Sequence, residues 1–351
     1  MKRIALLSAA VAVVTMIGGA LHYAGSSPTA VFVLTGVALG GLAWIIGTAT
    51  ESVGARFGPA VTGVLQSTLG NLPELFIVLF SLSAGEIVVA QTSILGSLFA
   101  NALLVLGLAI VAGARAAPGE VMQFRKRLPN DTATLLLLAL FAIALLGLSD
   151  SVGDRASGHQ VAISVVGAVC LLTVYAVWLW SYLRSDRHVE AALEEPSHAV
   201  LPFSAALGLL AGAGVAAALV SDWFVSAIDP AVEALGISKA FTGIVIVGVA
   251  GNEVENVVGI TLAAKGKADL AVSVVKNSVA QIACLLFPAL VLLSLFFSDR
   301  LTFVLNPVYI GALAVTALAV WQITGDGEAY PYEGWALVAI YVILATVTFY
   351  E

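Results

Sequence analysis

Charge is scarce in this sequence: Asp, Glu, Lys and Arg make up only 11% of 351 residues, and mean hydropathy is +1.03. A soluble domain carries about a quarter charged residues, so that class is excluded. The net charge of −7 is scattered through short connections rather than gathered into a patch, and nothing points to nucleic acid. The two cysteines, Cys170 and Cys284, lie in apolar runs without CxxC spacing, which leaves neither a thiolate metal site nor a redox pair. His22, His159, His188 and His198 fall in or near connections, so there is no HExxH motif on a helix. Nor is there a nucleophile with its base or a phosphate-binding Asp cluster. A membrane-embedded enzyme is therefore only a remote alternative, and the expectation is a non-enzyme without a cofactor.

Long hydrophobic runs take the place of all this. At about 20 apolar residues per crossing, eleven spans are expected, near 4–22, 29–50, 59–83, 87–113, 132–149, 159–183, 200–221, 239–264, 268–297, 301–323 and 334–350. The basic start and apolar run at residues 1–25 resemble a signal peptide; because an array of spans follows, this segment reads as an uncleaved first span. With the N-terminus inside, Lys2, Arg3, Arg56, Arg115, Arg125, Lys126, Arg127, Arg184, Arg187, Lys265 and Lys267 fall in inside connections. Only Arg155, Lys239 and Arg300 fall outside. That bias orients the chain with a cytoplasmic N-terminus and an outside C-terminus in a cell membrane. Residues 184–199 form an acidic linker that reads as solvated; a cation-sensing helix is the sharper alternative.

Residues 58–108 and 239–289 align without a gap at an offset of 181. Gly70, Asn71 and Glu74 fall on Gly251, Asn252 and Glu255, and Ser97 falls on Ser278. The copies lie five spans apart, an odd number, so they cross in opposite directions. Inverted repeats of this kind belong to secondary transporters, whose ion sites lie near the midplane between the repeats. The expected fold is an all-α polytopic membrane protein with an extra span at 1–25, a first five-helix repeat at 26–183 and a second, inverted repeat at 200–351.

Asn and Glu at i and i+3 share a helix face, so the two GNxxE motifs offer two carboxylates and two amide oxygens to one place. Pro73 also frees the carbonyl of Leu69, and Gly248 and Gly251 could loosen the second helix. A carboxylate at the bilayer centre costs about 2.5–3.5 kcal/mol, and a close pair adds repulsion. It persists only if protonated or holding a cation, and that exclusion is the chemistry of antiport. Oxygen ligands suit Ca²⁺, which takes about 6–8 of them; ligand type alone leaves Na⁺ open. Glu74, Glu255, Asn71 and Asn252 are the expected ion and proton site, with Glu74 and Glu255 as metal ligands. Ser97, Ser278, Gln281, Asn101 and Leu69 surround it or line the path, though hydrogen bonding between spans would explain their polar members equally well.

These motifs, with "TATESVGARFGP" (48–59) and "GEIVVAQTSILGSLFANALLVLG" (85–107), resemble the calcium/proton exchanger family of the calcium:cation antiporter superfamily, over most of the chain. The resemblance implies Ca²⁺ export driven by protons, with Glu74 and Glu255 as carriers. Three residues depart from it. Asn256 stands where the family has histidine, Glu253 where it has a small residue, and Lys276 where it is apolar. Glu253 and Lys276 lie two residues before Glu255 and Ser278, about 200° round a helix and at similar depth, so a structural Glu253–Lys276 pair is expected. The alternative function is a Na⁺-coupled calcium or Na⁺/H⁺ exchanger. The bilayer is the expected partner, Ca²⁺ and H⁺ the transported species, and homo-oligomerisation is left open.

Overall fold

The computed structural model describes residues 2–54, 56, 65, 68–125, 127–185 and 201–351, except the side chains of 2–3, 127–129, 185 and 253–254. Almost every described residue is helical, as the bilayer demands: without water, each backbone N–H and C=O must bond within its own segment. The helices are α1 (Lys2–Tyr23), α2 (Pro28–Gly54), α3 (Leu72–Ser83), α4 (Ile87–Ala116), α5 (Arg127–Val152) and α6 (Gln160–Ser185). They continue as α7 (Phe203–Leu235), α8 (Lys239–Gly251), α9 (Glu253–Ala264), α10 (Ala268–Phe296), α11 (Pro307–Thr324) and α12 (Pro331–Phe349). Among the described residues nine are long and apolar enough to cross a membrane, or ten if the α8–α9 pair, bent by 59°, is one span. α3 is a shorter apolar helix, the described end of the crossing expected at 59–83, much of whose first half lies outside the described residues, as does nearly all of the expected linker at 184–199.

Three expected boundaries are corrected. α7 does not stop at residue 221 but runs to Leu235, through Asp222, Asp229, Pro230 and Glu233, and ends at Gly236 in the left-handed conformation. The crossing at 239–264 is broken at Asn252. The tenth expected crossing begins at Pro307 rather than 301, capped by Asn306, whose side chain accepts from the Val308 amide at 2.9 Å.

Burial sorts the helices. α4 is the centre, with 89% of its hydrophobic window buried, against 11% for α1. Two apolar clusters form. One unites α2 and α7 with parts of α3 and α8; the larger gathers α4, α5, α10, α11 and α12. α4 crosses α8 with backbones touching: a Cβ on Gly96 would lie 2.5 Å from the Gly243 carbonyl oxygen, and one on Gly248 would lie 2.5 Å from the Gly96 carbonyl carbon. Small residues allow that approach where no hydrophobic effect drives helices together.

Connections collect on two sides. On one, β1 (Met122–Gln123) pairs antiparallel with β2 (Glu328–Ala329), and the Arg125 amide donates to Asp269 at 2.7 Å. On the other, Lys239 Nζ reaches Glu86 at 2.7 Å and Asp229 at 2.5 Å. This is the alternation the span order demands, since 114–131, 265–267 and 325–330 belong to one face. Cys170 is exposed and Cys284 buried, both without a disulfide.

Candidate functional site

Each GNxxE motif breaks its helix at asparagine. Residues 68–70 are helical, Asn71 leaves the helix (φ −83°, ψ 8°) and α3 starts at Leu72; likewise α8 ends at Gly251, Asn252 departs (φ −108°, ψ 27°) and α9 starts at Glu253. Each asparagine carbonyl then accepts the amide four residues on, Leu75 or Asn256, at 2.9 Å. The break places Pro73 in the first turn of α3, where its missing N–H is no loss. It also places Glu74 and Glu255 in the first turns of new helices, at the positive end of the backbone dipole. In the second motif the break falls at Asn252, while Gly248 serves the contact with Gly96 rather than loosening the helix.

The two motifs meet, and they meet reciprocally. A Cβ on Gly70 would lie 3.3 Å from Glu255 Oε1, and one on Gly251 would lie 3.9 Å from the Glu74 Cβ. The glycine of each motif is thus the surface against which the other motif's glutamate rests. Glu74 is 0% exposed and Glu255 3%. Asn71, Asn252, Ser97, Asn101, Ser278 and Gln281 are buried as well, and Leu69 is half-buried in the last turn before the first break.

Hydrogen bonds fix part of this cluster. Asn101 Nδ2 donates to Asn252 Oδ1 at 2.6 Å and to the Ser97 carbonyl at 3.1 Å, joining α4 to the second motif. Asn252 Nδ2 donates in turn to the Gly248 carbonyl at 2.7 Å. Of the other groups, the Glu74 carboxylate has the Ser97 hydroxyl as its side-chain partner and Gln281 has Tyr175, while Ser278 Oγ and Asn101 Oδ1 are buried without a hydrogen-bond partner among the described residues. Leaving such a group unpaired costs about 1–3 kcal/mol, more if charged. Among the described residues no three His, Cys, Asp or Glu side chains gather. The donor set is therefore two carboxylates with neutral oxygens, suited to protons and hard cations rather than to zinc.

A sequence profile described as "Sodium/calcium exchanger protein" matches residues 27–183 and 205–350, most of the chain. The chain belongs to that family, in its calcium/proton exchanger branch. It is 31% identical to the Ca(2+)/H(+) antiporter of Synechocystis sp. over 95% of this chain and 94% of that one. It is 30% identical to the Ca(2+)/H(+) antiporter ChaA of Bacillus subtilis, over 97% of each. The solved structure of native YfkE superposes with a TM-score of 0.82 at 27% identity, covering 99% of this chain and 100% of that one.

Two residues of this exchanger were poorly legible in the sequence. Asn256, where the resemblance has histidine, donates from Nδ2 to the Val249 carbonyl at 3.0 Å, seven residues back, and so splints the break between α8 and α9. Its place one residue after the motif gave no hint of that span. Lys276 is fully buried, and its Nζ donates to Thr324 Oγ1 at 3.0 Å, at the last residue of α11, where the helix dipole favours a cation. The side chain of Glu253, its expected partner, lies outside the described residues. Thr324 is 48 positions away and uncharged, so no pairing of charges could have found it.

Proposed function

We propose that this protein exports Ca²⁺ in exchange for H⁺ across a cell membrane, by alternating access to one midplane site built from the two GNxxE motifs. The carrying observation is the reciprocal seating of each motif's glutamate on the other motif's glycine. Glu74 and Glu255 are the shared carriers. Protonated, they remain neutral in a dry site; deprotonated, they need a cation's charge to be stable there. The amide oxygens of Asn71 and Asn252, with the hydroxyls of Ser97 and Ser278, bring the oxygen count toward the about 6–8 that Ca²⁺ takes. Asn101 positions Asn252. The similarity to proteins named Ca(2+)/H(+) antiporters supports the same ion pair here.

In this reading residues 1–25 are an accessory span, 26–183 and 200–351 are inverted repeats, and 184–199 link them in the cytoplasm, with the C-terminus outside. Access alternates as the α2–α7 cluster shifts against the larger one. The test is flux of radioactive calcium into vesicles under an imposed pH gradient, with and without sodium. Uptake should follow the pH gradient in the wild type and vanish in Glu74→Gln. Uptake that follows sodium would instead establish the Na⁺-coupled alternative.

A further inference from the structure

Lys239, the first residue of α8, holds two acids that belong to different parts of the molecule. Its Nζ lies 2.7 Å from Glu86, just before α4, and 2.5 Å from Asp229 on α7. The start of α8 is fastened to the larger apolar cluster. Ala240 belongs to that cluster, the Ser238 hydroxyl donates to the Thr348 carbonyl of α12, and the Phe241 ring meets that of Phe349 edge-on at 5.3 Å. Glu86 is on the same side, since it opens α4, the centre of that cluster. Asp229 belongs to the other body: along α7 it stands between Ile228 and Ala231, both packed into the α2–α7 cluster.

The Lys239–Asp229 contact therefore crosses the boundary between the clusters, and among the described residues no other ion pair does. Arg125 and Asp269, 3.8 Å apart on the opposite face, both belong with the larger cluster. Arg56, 4.4 Å over the Phe203 ring, joins the ends of α2 and α7 within the other. We infer that Lys239 and Asp229 form a latch that keeps the outside end of the ion path shut, and that this pair parts when the path opens there; the inference rests on the topology and the alternating access proposed above.

The pair is built for repeated opening. Asp229 is 58% exposed and Lys239 37%, and ion pairs so open to water are weak. Glu86, only 16% exposed, keeps the ammonium in place while Asp229 is away. The connection from Gly236, left-handed at φ 65°, to Ser238 tethers α7 to α8, so the partners stay near enough to pair again.

Ser81 supplies a reporter. It lies seven residues after Glu74, on the same face of α3 and about two turns nearer the Lys239 side, and it is fully buried. The test is the rate at which a thiol reagent that cannot cross membranes, added outside right-side-out vesicles, labels Ser81→Cys in a Cys170→Ser background. Asp229→Asn should raise that rate by about two- to fivefold, the range a partly exposed ion pair supplies, and Lys239→Gln should do the same. Glu86→Gln, which spares the crossing contact, should leave it at the parent rate. Retained Ca²⁺/Ca²⁺ exchange shows that each variant is folded. Labelling that neither Asp229→Asn nor Lys239→Gln accelerates, or that Glu86→Gln accelerates equally, overturns the latch; so does labelling confined to the other side of the membrane. Wild-type calcium flux that ignores a pH gradient overturns the exchange reading instead, and the labelling rates still decide the latch.

Discussion

Alanine at Gly70 is the smallest change that reaches the proposed ion site without removing a proposed ligand. Its Cβ would stand 3.3 Å from Glu255 Oε1, tighter than most real contacts, so the carboxylate must give by a few tenths of an ångström. At an effective dielectric constant of about 20, Ca²⁺ and a carboxylate attract by about 13.8 kcal/mol at ~2.4 Å and about 12.3 kcal/mol at ~2.7 Å. Apparent Ca²⁺ affinity should therefore fall by about 1.5 kcal/mol, roughly tenfold. Gly251→Ala is the control, since its Cβ meets only the Glu74 Cβ at an ordinary 3.9 Å; affinity should change less than about threefold, or ~0.65 kcal/mol. Gly70 precedes the break in helical conformation, so alanine gains up to about 1 kcal/mol of helix propensity and thermal stability should hold. Calcium titrations of both purified variants, with melting curves, check this. Equal affinities in the two variants, or a loss at Gly70 matched by a fall in melting temperature, would refute the convergence of the motifs.

Gly96→Ala should act on the fold rather than the ion: its Cβ would press to 2.5 Å from the Gly243 oxygen, an overpacking worth about 1–3 kcal/mol or more, visible as lower thermal stability in detergent. A mutant cycle of Glu253→Gln and Lys276→Met tests the expected pair. If the two residues pair, each single change strands a buried charge at about 3–5 kcal/mol and the double variant should transport better than either single one; if it does not, the pair is refuted and Thr324 at the end of α11 suffices for the lysine.

Much of this architecture could be read from the sequence because a bilayer permits few solutions. Apolar length fixed most crossings, and the odd number of crossings expected between two GNxxE copies is the ground for proposing that they run in opposed directions. The motif stood out because acids are costly in hydrocarbon, and the structure buries Glu74 and Glu255, each against the other motif's glycine. What escaped was whatever depends on neighbours distant in sequence. Gly96, Gly243 and Gly248 look like any helix glycines until α4 and α8 are crossed. The α8–α9 pair bends by 59° at Asn252, whose side chain accepts from Asn101 of another helix, a partner 151 positions away. α7 runs past its expected end because a crossing-length count does not register that the helix continues beyond the apolar run, through Asp222, Asp229, Pro230 and Glu233, to Gly236.

The central claim is that one pair of buried acids serves hydrogen ions and the metal in turn. Calorimetry of Ca²⁺ binding to the purified protein in buffers of different ionisation enthalpy counts the protons released per ion bound. The account predicts net proton release in the wild type, reduced in Glu74→Gln and in Glu255→Gln together with affinity. Ca²⁺ binding with no proton release, or with undiminished affinity in either variant, would contradict it.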